Sequence, residues 1–212
     1  MSLQITCPPG TAITSIPVPG CLQDFGQITR LILQRTYSTG TTLNSFTIGS
    51  ANPNLSASWD TFFDAADGTK ATITPQIENS DVASPEAVKY GGGDATAFGI
   101  QKNIAKTPST FTGELHAVRA DVAEAIEDYE GEIASVYFVN EHGYIAGLAD
   151  SVSSATTFRG FPIALQTFFI SELNTGKRET PDMYKLTFQL YPGWSRKFYV
   201  VVPSDFNGNE LS

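Results

Sequence analysis

Several things are scarce in this chain of 212 residues. Cysteine is limited to Cys7 and Cys21, too few for a disulfide scaffold and outside any C-x-x-C spacing. Each flanks a Pro/Gly-rich stretch, so the two could pair, but two free thiols in a reducing cytosol is the preferred reading. Histidine is limited to His116 and His142. No apolar run approaches the roughly 18–20 residues of a membrane span, so no membrane partner is expected. The opening MSLQITCPPG has no basic region followed by an apolar stretch, so no signal peptide is expected either. Charge itself is thin. Only 17% of residues are charged, against about 25% in ordinary soluble domains. Basic residues are the scarcer kind, 13 against 22 acidic, for a net charge of −9. That balance argues against affinity for nucleic acid through phosphate contacts and against adhesion to anionic membranes.

What is present is a core. Apolar residues make up 41% and aromatics 11%, which suits a folded chain rather than a disordered one. The length fits one domain over residues 1–212, with no linker, internal repeat or second composition regime. Residues 1–26 are expected to form an extended arm, because Pro8, Pro9, Pro17 and Pro19 forbid a helix and a central strand. Gln27–Tyr37 (QITRLILQRTY) is a strand whose apolar residues do not alternate cleanly, which predicts burial on both faces. Residues 38–58, rich in Thr, Ser and Asn, are expected to be a long loop. Such a loop is either an arm that folds on a neighbouring subunit or a disordered insertion. On the arm reading, deleting Thr41 to Asn54 leaves the domain folded.

Further along, WDTFFDAA (59–66) suggests a short helical turn and TKATITPQI a strand. Residues 78–93 read as loop, ending in the Gly91-Gly92-Gly93 run, and 95–102 as a strand. From Glu114 to Glu130, the apolar residues Leu115, Val118, Val122, Ile126 and Tyr129 recur at steps of three and four. An amphipathic helix over about 114–130 follows, capped by Thr112 or Gly113 and stopped at Gly131. Its other face carries Asp121, Glu124 and Asp128, with Glu127 and Glu130 beside them and Arg119 as the one offsetting cation. After it come a hairpin (Ile133–Val139, Tyr144–Leu148), a long strand over 161–173, an alternating strand over Met183–Tyr191, and RKFYVVV to close the sheet. The expected fold is mainly β with one α-helix, a β-sandwich or barrel of two packed sheets with a flanking amphipathic helix.

Patterns that carry chemistry are few. His116 reads as a partly buried structural residue and His142 as an exposed turn residue. A zinc site from Cys7, Cys21, His116 and His142 has no ligand spacing in its favour. The Gly91–Gly93 run lacks the following Lys-Ser/Thr of a phosphate cradle. The acidic stripe is better suited to solvent or to a partner than to acid–base catalysis, which needs burial to separate two carboxyl groups. No catalytic residue, metal ligand or cofactor-binding residue is therefore assigned, and an enzyme is not expected. One asymmetry remains: an acidic helix region against Lys177, Arg178, Lys185, Arg196 and Lys197 late in the chain. Opposite patches on one subunit suit association with copies of itself, although both also read as plain solvated faces.

The layout resembles the tail tube (major tail) proteins of long-tailed bacteriophages and their relatives in contractile injection machines. The shared features are a β-rich domain, one amphipathic helix between strand groups, a long early loop and extended arms. The segments GCLQDFGQITRLILQR (20–35) and VYFVNEHGYIAG (136–147) are similar to those of phage virion proteins of the Bacteroidetes group. The resemblance implies two packed sheets with one flanking helix. It also implies subunits closed into rings, commonly hexameric, with a loop and arm locking each ring to the next. The implied function is passive: a virion conduit made in the host cytoplasm, through which double-stranded DNA passes without specific binding. Its partners are then itself and neighbouring virion proteins. Other expectations are a connector, ring or capsid-decorating protein, or a carbohydrate-binding β-sandwich using Trp59, Trp194 and Tyr191.

Overall fold

The computed structural model describes residues 24–96, 98–152, 154–176 and 181–211. Most of the expected Pro-rich arm, with Cys7 and Cys21, lies outside them, as do Lys177 and Arg178. In chain order, β1 (Ile28–Arg35) leads to the small ribbon β2 (Tyr37–Thr39) and β3 (Thr42–Leu43), then β4 (Phe46–Thr47), helix α1 (Ser56–Phe63) and β5 (Ala71–Ile73). Next come β6 (Glu78–Val82), β7 (Ala87–Tyr90), β8 (Lys102–Lys106), β9 (Ser109–His116) and helix α2 (Ala120–Glu127). The remainder is β10 (Ala134–Asn140), β11 (Ile145–Ala149), β12 (Thr157–Arg159), β13 (Phe161–Pro162), β14 (Phe169–Ile170), β15 (Met183–Leu190) and β16 (Phe198–Val201).

Eight strands make the larger, curled sheet in the order β4-β12-β11-β10-β1-β5, with β13 adding to β10 and β16 to β11. Four make a second sheet, β14-β15-β9-β6. The mainly β class and the two packed sheets agree with the sequence reading.

The centre is the antiparallel pair β1/β10, in register from Arg30↔Val139 to Arg35↔Ala134. Alternate side chains of a strand point to opposite faces, and here both faces are covered. Leu31, Leu33, Val136 and Phe138 enter a core shared with the second sheet and α2. Ile32, Tyr137 and Val139 enter another, shared with Phe46 and Trp59. The unbroken apolar run of β1 thus has the cause anticipated for it. Between the sheets, Phe111 stacks on Phe138 with centroids 5.9 Å apart and on Phe188 at 4.6 Å. On the far face, Trp59 meets Tyr137 edge-on at 5.1 Å, and its indole N–H donates to Pro53 O at 2.7 Å. Close approach demands glycine at 147. A Cβ there would lie 2.6 Å from Arg159 O and 2.7 Å from the Phe158 ring.

Four expectations are corrected. Residues 38–58 are not a free loop: they hold β2, β3, β4 and the start of α1. Phe46 is fully buried, and the Asn44 amide donates to Arg35 O and Gly68 O, both at 2.8 Å. The Thr/Ser/Asn composition conceals this because backbone pairing, not apolar periodicity, anchors the segment. Second, the helix is shorter than 114–130. Residues 109–116 form β9, paired with β15 from Ser109↔Leu190 to His116↔Met183, and Ala117 at φ 52° turns the chain before α2 starts at Ala120. Leu115 fits both a helical stripe and a strand face, and eight residues of strand pairing decide the matter. Third, 161–173 is not one strand. Pro162 has no N–H to continue the ladder, and the chain turns through Gln166 (φ 59°) before β14. This segment crosses from the large sheet, where β13 pairs β10, to the second, where β14 pairs β15. Fourth, residues 78–93 contain β6 and β7, and the strand anticipated at 95–102 lies instead at Lys102–Lys106.

The β11–β12 connection is tied by Asp150, whose carboxylate accepts from the amides of Thr156 and Thr157 and from the Thr156 hydroxyl. That hydroxyl first, then the two amides, hold the carboxyl well below the usual range. A depressed folded-state value stabilises the fold above the ordinary carboxylate range, and the benefit fades as pH falls below about 4 toward the folded value. Asp150→Asn should therefore show at neutral pH the loosened turn that the natural chain reaches only in acid, measured as faster amide exchange at Thr156 and Thr157. Deleting Thr41 to Asn54 should unfold the protein, because Phe46 leaves the core; loss of the cooperative thermal transition is the readout.

Candidate assembly surfaces

The β7–β8 hairpin stands apart from both sheets. It is a separate two-stranded ribbon with Ala87↔Lys106, Val88↔Ala105, Lys89↔Asn103 and Tyr90↔Lys102 paired across a bulge. Its neck is closed by Thr107 N donating to Glu86 O at 2.9 Å and by Glu86 N donating to the Thr107 hydroxyl at 2.8 Å. All residues of both strands are exposed. Beyond them the chain folds on itself: Gly92 N donates to the Thr96 hydroxyl, which donates to Ile100 O at 2.7 Å. Gly91, Gly92, Gly93 and Gly99 all take positive φ here, which glycine adopts without a Cβ penalty. The glycine run therefore serves the turn.

The side chains on this ribbon are unusual for a solvated element. Val88 and Tyr90, two residues apart and so on one face, are 38% and 58% exposed. Ile104 is 65% exposed, Ile100 60% and Phe98 96%. Phe98 also sits at φ 62°, a left-handed backbone that costs a bulky residue about 1–2 kcal/mol. Two strands without a covering layer are marginal in water, and their open edges invite pairing. Charge is inverted as well. Between Ala87 and Lys106 the ribbon carries Lys89, Lys102 and Lys106 against Asp94 alone, in a chain of net −9.

The opposite chemistry lies on α2. Ala123 and Ile126 are buried, and Val118, Val122 and Tyr129 pack against the same core. Asp121, Glu124, Glu127, Asp128 and Glu130 remain exposed, and Arg119 is tied to Asp121 at 2.6 Å. Between the end of α2 and β5 is a hollow of about 330 Å³ whose lining includes Thr72, Ala125, Asp128, Tyr129 and Glu132. The Tyr129 hydroxyl pairs with that of Thr72 at 2.8 Å, and Arg35 bridges to Glu132 at 2.8 Å. Burial raises the Tyr129 hydroxyl above the ordinary tyrosine range.

His116 lies on β9 rather than on a helix. Its ring is partly buried, with Nε2 3.4 Å from Glu114 Oε2 and 3.8 Å from Glu78 Oε2. His142 occupies the β10–β11 turn, exposed, 3.6 Å from Glu141. The two imidazoles are on different elements and form no joint site. Of the aromatics considered for sugar binding, Trp59 is fully buried and Trp194 packs edge-on against Phe138 and Phe161. Tyr191 is 47% exposed, and the three form no shared platform. Lys185 and Arg196–Lys197 are exposed on β15 and on the 3-10 turn before β16. Among the described residues no group of His, Cys, Asp or Glu could hold a metal ion, and no helix is long and apolar enough to cross a membrane.

No protein-family model and no curated protein sequence matches the chain. Among solved structures it is similar to a chain in the tail of an empty GTA particle refined with C6 symmetry. The identity is 15% and the TM-score 0.33, over 54% of this chain and 77% of that one. It is also similar to a chain in the virion of a native gene transfer agent (GTA) particle, at 12% identity and a TM-score of 0.35, over 62% and 88%. Both overlaps are partial and too loose to define a shared fold.

Nothing in the sequence pattern of 87–106 marks a projecting ribbon. The available signal was three lysines interleaved with Val88, Tyr90, Ile100 and Ile104 in an acidic chain. Because none of the described ribbon side chains joins either core, replacing residues 88–105 with a short Gly-Ser linker should change unfolding free energy by no more than about 0.5 kcal/mol, measured by chemical denaturation.

Proposed function

We propose that this protein is a non-enzymatic virion structural subunit, self-assembling into stacked rings that form a phage tail tube for the passage of DNA. The observation that carries the reading is the β7–β8 ribbon. It presents apolar side chains that its own chain leaves uncovered, on an element too small to be stable alone. A second copy is the natural cover. In this reading the ribbon, and not residues 38–58, is the arm that joins subunits. The name of the particle rests on the resemblance drawn from the sequence, which also supplies the expected ring of six and the location in the virion.

Two further features support the proposal. The cores on the two faces of β1 and β10 share those strands, which favours one domain that behaves as a rigid building block. The scarcity of basic residues, with a net charge of −9, suits a conduit wall that repels phosphates and lets DNA slide.

Negative-stain microscopy of the concentrated protein should show rings or tubes, and the ribbon-to-linker variant should remain folded and monomeric. A natural chain that stays monomeric at every concentration and binds a glycan would overturn the assignment.

A further inference from the structure

We propose that the β7–β8 ribbon of one copy seats on the α2 face of a second copy. Phe98 enters the hollow beside Tyr129, and Lys89, Lys102 and Lys106 meet the carboxylates of α2. The inference rests on the self-assembly reading and names the surface that receives the arm.

Three observations converge on this pairing. The first is shape. Phe98 is 96% exposed on a left-handed backbone, and such strain persists where the surrounding structure or a partner makes use of it. The hollow of about 330 Å³ offers the Tyr129 ring, Ala125 and Thr72 as walls. That is the lower end of ligand-pocket size, enough for one aromatic ring. The second is charge. The ribbon carries three lysines against one acid in a chain of net −9, and α2 carries Asp121 in its first turn and Glu124, Glu127 and Asp128 toward the negative end of its dipole. In the hollow itself, Arg35 is already engaged by Glu132 at 2.8 Å, and Asp67 and Asp128 line it together with one further cation, Lys70.

The third observation is polarity. β6 and β9 run antiparallel, with Glu78↔Glu114 at one end and Val82↔Phe111 toward the other. The ribbon leaves beyond Val82 and returns just before Ser109, whereas α2 follows His116. The ribbon root and the connection to α2 therefore join opposite ends of β9, a strand of eight residues and so about 26 Å long. A copy does not cover its own ribbon: Phe98 is 96% exposed. It can satisfy the next copy's, and because the two surfaces differ, the contact is head-to-tail and propagates instead of closing a two-fold dimer.

The test is a charge exchange in the full chain, read by sedimentation velocity and microscopy at low salt. Lys89→Glu with Lys102→Glu and Lys106→Glu should raise the concentration at which assemblies appear by at least about tenfold. Asp121→Lys with Glu124→Lys and Asp128→Lys should do the same. Both sets combined in one chain should restore assembly. Phe98→Asp should weaken assembly without changing the thermal transition. If the natural chain assembles and the reversed ribbon assembles equally well, or the combined chain folds and fails to recover, the α2 docking is wrong while self-assembly stands. If the natural chain does not assemble, the self-assembly reading falls, and this inference with it.

Discussion

The structure depends on one constraint: β1 and β10 are covered on both faces. A one-residue slip turns every side chain of a strand to the opposite face, and in β1 and β10 both faces are already filled. Here a shift of one residue would exchange Leu31 and Leu33 with Ile32 and turn Tyr137 toward the core now filled by Phe138. Buried polar pairs pin the register. The Tyr137 hydroxyl donates to Gln34 Oε1 at 3.2 Å, the Gln34 amide donates to Thr69 O at 2.6 Å, and the hydroxyls of Thr36 and Ser135 pair at 2.7 Å. Burial of the Tyr137 ring pushes its hydroxyl far above the ordinary tyrosine range, so it stays a neutral donor. Any slip would strand these groups without partners, at about 1–3 kcal/mol each.

From that pair the remaining elements take their places. The second sheet and α2 close one face, and Phe46, Trp59 and Phe158 close the other. Segments that look irregular act as connections between the layers. The 161–170 crossover passes from β10 to β15, and 38–58 wraps back over the Trp59 side through β4 and α1. Apolar exposure remains on the body as well, at Ile133, Val152, Leu165, Phe169 and Val202. The β7–β8 ribbon differs in that every residue of its two strands is exposed.

Long, strongly patterned elements were legible in the sequence. The unbroken run of β1, the alternation of Tyr184, Leu186, Phe188 and Leu190 on β15, and the β10–β11 hairpin all carry their periodicity in apolar side chains. Elements whose burial is shared with small or polar residues were hidden. On β9 the inward positions are Ser109, Phe111, Gly113 and Leu115, so half of the period-2 signal lies on residues without apolar weight. Leu115 was then free to join the helical spacing of Val118 and Val122. The ribbon was hidden for the opposite reason. It has no inward face at all, so no periodicity could announce it, and its glycines read as a plain loop. Its composition, lysine alternating with apolar residues, was the signal that remained.

For the proposed stacking there is a simple electrostatic obstacle: copies of net charge −9 repel one another. The repulsion acts over the whole surface, but in physiological salt it is screened beyond about 8 Å. Attraction therefore has to be local, and a chain with little charge gains most by putting its few cations at the contact. In the proposed docking, Lys89, Lys102 and Lys106 on the ribbon do this, carrying positive charge to a neighbour's carboxylates. The apolar side chains between them then supply binding free energy that salt does not screen. In the proposed contact, approach is governed by charge and holding by Phe98, Ile100 and Ile104. A low charge density of 17% suits the proposed assembly, since uncharged polar surface does not repel the next subunit.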